Sequence, residues 1–211
     1  MRLRDTIREA ADRFRRDESA SLSIETVIIF PLLVWVYLGM FTYFDAFRSQ
    51  SLSDKAAYTI ADMVSRETDY ITPSYIDTLY ELHGLMTRSN ERTQMRITLV
   101  RWNDNQDKYV KVWSRRKGGA PGLTNTELQS EAYRSRMPDG LNHQERLILV
   151  ETWTIYEPVF DLGFAITPEW TGNFGAVSFD TFTVVRPRFA PPGNGPCWNP
   201  DEDGTIINAK C

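Results

Sequence analysis

The longest apolar run in the chain, Thr26 to Phe44, holds no charged residue over about 19 positions, and as a helix at 1.5 Å per residue it reaches roughly 28 Å, close to the thickness of bilayer hydrocarbon. A buried core helix in a domain this small would carry a polar stripe, and none is visible here, so the run predicts a transmembrane helix. Pro31 is compatible with that, because membrane helices tolerate proline where neighbours satisfy the freed carbonyl. Beyond the run, Leu52, Ala56, Ile60, Met63 and Val64 keep a helical period, which predicts that the membrane helix continues as a stalk. Thr72-Pro73 supplies an N-cap and a first-turn proline for a second helix, with Tyr75, Ile76, Leu79, Leu82 and Met86 on one side and Gly84 near its end.

Alternation then replaces the helical period. Met95 to Trp102 and Tyr109 to Trp113 flank the turn-rich Asn103-Asp104-Asn105-Gln106-Asp107 and predict a hairpin. After a polar loop and a short helix from Glu127 to Arg136, Leu147 to Tyr156 and Ala176 to Val185 predict two more strands. The expected fold class is α+β: a single N-terminal transmembrane helix extended as a stalk, then a domain whose antiparallel sheet lets the helices bury their stripes. Arg115-Arg116-Lys117, ahead of two glycines, reads as a loop of solvated charge.

Charge orients the chain. Arg2, Arg4, Arg8, Arg13, Arg15 and Arg16 precede the apolar run, against Arg48 and Lys55 just beyond it, so the N-terminus is expected in the cytoplasm and the rest exported. The exit, Phe44-Asp45-Ala46-Phe47-Arg48, offers no small-x-small cleavage site, so the span is expected to stay in the mature protein. A net charge of -4 and a pI of about 5.3 argue against a nucleic-acid partner, which would need a clustered cationic surface.

At the start of the run the chain reads Ser19-Ala20-Ser21-Leu22-Ser23-Ile24-Glu25-Thr26, placing one carboxylate at the edge of the apolar segment, where an ionisable group costs free energy and calls for a partner. Were the chain cut after Ala20, Glu25 would become the fifth residue, one helical turn from a new cationic amine on Ser21 that would neutralise it as helices pack. The bland alternative is an acid that marks the start of a signal anchor, favoured there by the helix dipole. This junction resembles a type IV pilin-like (class III) prepilin leader, with Ala20 in place of the commoner glycine.

Further on, Leu147-Ile148-Leu149-Val150-Glu151-Thr152-Trp153-Thr154-Ile155-Tyr156-Glu157-Pro158-Val159-Phe160, followed by Val184-Val185-Arg186-Pro187-Arg188, resembles the exported part of TadE/TadF-like pseudopilins of the tight-adherence (Flp) pilus machinery. The resemblance implies a non-enzymatic minor pseudopilin, cut between Ala20 and Ser21, with Glu25 setting helix registration. It also implies as partners a prepilin peptidase, other Tad pilins and pseudopilins, the inner-membrane assembly platform and the lipid bilayer, and roles in pilus assembly, surface adherence and biofilm formation. On this reading residues 1–20 are a cytoplasmic leader, 21–45 the membrane helix, 46–190 a periplasmic domain and 191–211 a tail, the domain remaining in the periplasm or entering the pilus.

In an exported tail, Cys197 and Cys211 are expected to form a disulfide. Inside that loop Asn199, Asp201 and Asp203 fall on alternate ligand positions of a calcium loop, but Lys210 stands where the bidentate glutamate belongs, so a solvated acidic turn is the favoured reading and no cofactor is expected. His83 and His143 are the only histidines, and no HExxH, GxSxG, CxxC or glycine-rich phosphate loop occurs; both histidines read as structural or exposed rather than catalytic. The six tryptophans are spread over anchor, strands and tail, as core and interfacial residues are, rather than gathered as a sugar platform. The alternative to the pilin reading is an uncleaved, signal-anchored periplasmic domain that binds a ligand or calcium; a membrane-tethered hydrolase is the third.

Overall fold

The computed structural model describes residues 18–89, 93–159, 176–189, 196–201 and 209–211, with only the helical backbone for 18–23. Helix α1, Glu18–Arg66, carries the apolar run, with Pro31 inside it. The described residues fall into two compact units: one holds α1 up to Asp45 with Pro158 and Val159, and the other holds Ala46 to Glu157 and the described residues after 175.

In the second unit, α2 (Pro73–Thr87) starts as its sequence dictates: Thr72 sits in extended backbone, its hydroxyl accepts from the Tyr75 N–H at 3.3 Å, and Pro73 spends no donor. The helix runs past Gly84 and stops at Thr87, where Arg88 takes the left-handed conformation (φ 57°) and its N–H reaches back to the carbonyls of Gly84 and Leu85. β1 (Thr93–Asn103), a 3₁₀ turn at Asp104–Gln106 and β2 (Lys108–Lys117) make the hairpin, with Asp107 in the left-handed region that aspartate tolerates. β3 (Arg146–Tyr156) and β4 (Val177–Val185) complete a four-stranded antiparallel sheet in the order β2-β1-β3-β4. The fold is therefore α+β.

Both faces of the sheet are covered. Ile60, Ala61 and Val64 of α1 and Ile76 and Leu79 of α2 pack with Met95, Ile97, Leu99, Trp113, Ile148 and Val150 on one face. On the other, Val100, Trp102, Leu147 and Leu149 are covered by Leu123, Leu128, Met137 and Leu141 from the long β2–β3 connection. A register shift lets the hairpin serve both: Leu99 pairs with Trp113 and Val100 with Lys111, so Val112 is the extra residue, and Tyr109 and Trp113 of one strand enter opposite cores.

Three expectations need correction. The helix expected from Glu127 to Arg136 is two single turns, α3 (Asn125–Leu128), closed by a Thr124–Glu127 capping box, and α4 (Glu131–Arg134), because Ser130 between them is in extended backbone. Arg115-Arg116-Lys117 is no loop: β2 runs through it, pairing with Ile97, Arg96 and Met95, and Lys117 pairs its charge with Asp77. Met63, placed on the buried stripe of α1, is exposed, since Ile60 and Val64 on either side already fill the contact.

Candidate functional site

The first candidate is the apolar half of α1. It is long and apolar enough to cross a membrane by length and composition, and its apolar window is only 6 % buried. Val27 is 71 % exposed and Phe44 73 %, with Ile28, Phe30, Leu32 and Leu33 similarly open, so among the described residues nothing turns this stretch into a core helix. Glu25 is exposed at its beginning. Ala20 and Ser21 lie in the helical backbone of α1, and their side chains, like the leader arginines, are outside the described residues.

The second is the stapled tail. Cys197 and Cys211 are joined by a disulfide across a sequence separation of 14. Inside the loop, Trp198 and Lys210 exchange backbone hydrogen bonds of 2.9 and 2.8 Å, and on its other side the tail is laced to the α1–α2 connection: the Ile71 N–H donates to the Cys197 carbonyl at 2.8 Å and the Asn199 N–H to the Ile71 carbonyl at 2.9 Å. Trp198 enters the core beside Trp113, whose indole N–H donates to the Pro196 carbonyl at 3.0 Å. Arg115 lies over Trp198 at 4.1 Å, and burial lowers its pKa below the ordinary arginine value. Arg146 reaches the Cys211 carbonyl through Nη2 at 3.0 Å. The described tail residues, 196–201 and 209–211, are thus bonded into the domain.

Of the calcium-loop residues, Asn199 is buried and its Oδ1 accepts from the Asp201 N–H at 3.2 Å in an Asx turn; Asp203 lies outside the described residues. No group of three or more His, Cys, Asp or Glu side chains comes together among the described residues. His143 is exposed and accepts from the Asp104 N–H at 3.3 Å. His83 is fully buried on the inner face of α2, neither ring nitrogen has a partner, and burial pulls its pKa down to about 4.

One cluster escaped the sequence reading. Arg96 and Glu151, opposite each other on β1 and β3, form a buried ion pair, to which Tyr133 and the Pro121 carbonyl add hydrogen bonds and Trp153 a ring face. Burial works against the Arg96 charge, but its hydrogen bonds and attraction to Glu151 outweigh that and raise its pKa; burial, then Glu151, push the Tyr133 phenol up to about 12. The two charges are matched, and through Pro121 and Tyr133 the cluster holds the β2–β3 connection on the sheet. Arg96 falls on the polar phase of the β1 alternation, between Met95 and Ile97, so no local signal marked it as buried. The Arg-Pro-Arg segment is also a clasp: Arg186 pairs with Glu145 at 3.0 Å, and Arg188 pairs with Asp62 of α1 at 3.1 Å while its N–H donates to the Ser65 carbonyl at 2.8 Å.

No protein-family model matches the chain, and no curated protein or solved structure resembles it closely enough to count as a match.

Proposed function

We propose that this chain is a single-pass, membrane-anchored minor pseudopilin of a bacterial tight-adherence pilus assembly system. The apolar half of α1 is its anchor, the leader stays in the cytoplasm, and the α+β domain is exported to the periplasm. The single observation that supports this best is the solvent-open apolar helix beginning at one carboxylate, Glu25, because such a surface needs lipid or other helices to cover it. The Cys197–Cys211 staple agrees with an exported domain, since disulfides persist in oxidising compartments. The function is assembly rather than catalysis: prepilin peptidase matures the chain, and α1 packs with the helices of partner pilins at the assembly platform.

A reporter enzyme active only in the periplasm, fused after Cys211, tests the topology: activity is expected, and its absence contradicts the reading. Loss of surface adherence on deleting the chain, restored by the native sequence and not by Glu25→Ala, tests the assembly role.

A further inference from the structure

Within the domain, α1 docks on the sheet through two chemically different stretches. From Ile60 to Val64 the contact is apolar: Ile60, Ala61 and Val64 join Ile97, Leu99, Ile148 and Val150 in one core, and Arg188 adds its bonds to Asp62 and Ser65. One to two turns earlier the sheet offers hydroxyls. Thr152 and Thr154 of β3 share a face with their neighbours Thr181 and Thr183 of β4 and Thr93 of β1. Ser53 meets Thr154 hydroxyl to hydroxyl at 2.9 Å, and the Thr181 hydroxyl donates to Asp54 Oδ1 at 2.8 Å. The hydroxyls of Thr93, Thr152 and Thr183 are buried without a hydrogen-bond partner, a condition that costs free energy for as long as the surface stays closed. Ala56 and Ala57, fully buried, bring only a methyl each, and neither belongs to the apolar core.

We propose that the stretch of α1 from Ser53 to Ala57 is a releasable latch, which lifts from the threonine-lined surface while Ile60 to Val64 stays fixed in the apolar core. Lifting it hydrates the unpartnered hydroxyls of Thr93 and Thr152, which lie beside the bonded Thr154 and Thr181. Thr183, by contrast, pairs with Val150 and belongs to the level of Ile60 to Val64, whose lifting opens the core itself. The helix therefore pivots about Ile60. This rests on the packing alone and is independent of the pilus reading.

Matched thiols test it in the full chain in detergent micelles: Ala57→Cys and Ala61→Cys, both positions fully buried, followed by alkylation rate under native conditions, with equal labelling in denaturant as the control. The latch predicts that Ala57→Cys is labelled at least about tenfold faster than Ala61→Cys. It also predicts that adding Thr152→Val, which removes one of the two unpartnered hydroxyls under the latch, slows the first and leaves the second unchanged. Equal rates at the two thiols overturn the latch, and so does fast labelling at Ala57→Cys that Thr152→Val does not slow.

Discussion

Arg96 and Glu151 face each other across β1 and β3 and meet edge on, Nε to Oε2 at 2.6 Å and Nη2 to Oε1 at 2.7 Å, both side chains almost fully buried. Two parallel charge-assisted hydrogen bonds are the strongest arrangement these groups make, and removing one partner strands the other charge in a medium that cannot solvate it. Glu151→Gln or Arg96→Met is expected to cost about 3 kcal/mol of stability, and Tyr133→Phe, which removes a neutral donor, about 1 kcal/mol. Urea denaturation midpoints at neutral pH check the ranking.

His83 gives the domain a stability that depends on pH. Its folded pKa, about 4, lies below the ordinary 6.5, so between those values the unfolded chain takes up a proton that the buried ring refuses. No stability is lost to His83 above pH 6.5; below it stability falls by about 1.4 kcal/mol per pH unit until about pH 4. From pH 6.5 to 5 the native chain is therefore expected to lose about 2 kcal/mol more than His83→Leu, compared by denaturant unfolding at the two pH values.

The tail staple should contribute by closing its loop in the unfolded chain. Replacing both Cys197 and Cys211 by serine is expected to lower stability by about 3 kcal/mol, with the same loss on reduction of the native protein, followed by thermal unfolding. Because Trp198 belongs to the core beside Ile71, the loss should loosen the start of α2 as well, visible as faster amide exchange there.

Gly118 closes β2 at φ 67°, where a side chain is strained, and a Cβ there would run into the Thr93 carbonyl that accepts the Tyr80 hydroxyl at 2.8 Å. Gly118→Ala is expected to cost at least about 2 kcal/mol, against less than about 1 kcal/mol for Gly122→Ala, where the added methyl meets only the end of the Arg116 side chain at 3.6 Å. Thermal midpoints distinguish the two.

Local chemistry made part of this fold legible. The Thr72-Pro73 start of α2, the period of Ile60 and Val64 and the alternation of β1 and β3 each rest on residues a few positions apart, and each led to the observed element. What escaped depends on partners far along the chain. Arg115 to Lys117 looks like solvated charge until β1 supplies a ladder and Trp198 a ring, and the bulge at Val112 appears only when two strands are set side by side. Arg96 shares its alternating strand with Arg101 and Glu151 stands in an apolar stretch, with nothing local to say that Arg96 and Glu151 meet.

For the candidate anchor, the uncharged run was plain because a membrane helix is defined by its own composition. Glu25 stood out for the same reason, whereas the lacing of the tail to Ile71 needed the folded chain.

The N-terminal residue of the protein recovered from its native membrane, with and without the prepilin peptidase, tests the pseudopilin reading most directly. The account predicts a mature chain beginning at Ser21 only when the peptidase is present; a chain beginning at Met1 in both contradicts it.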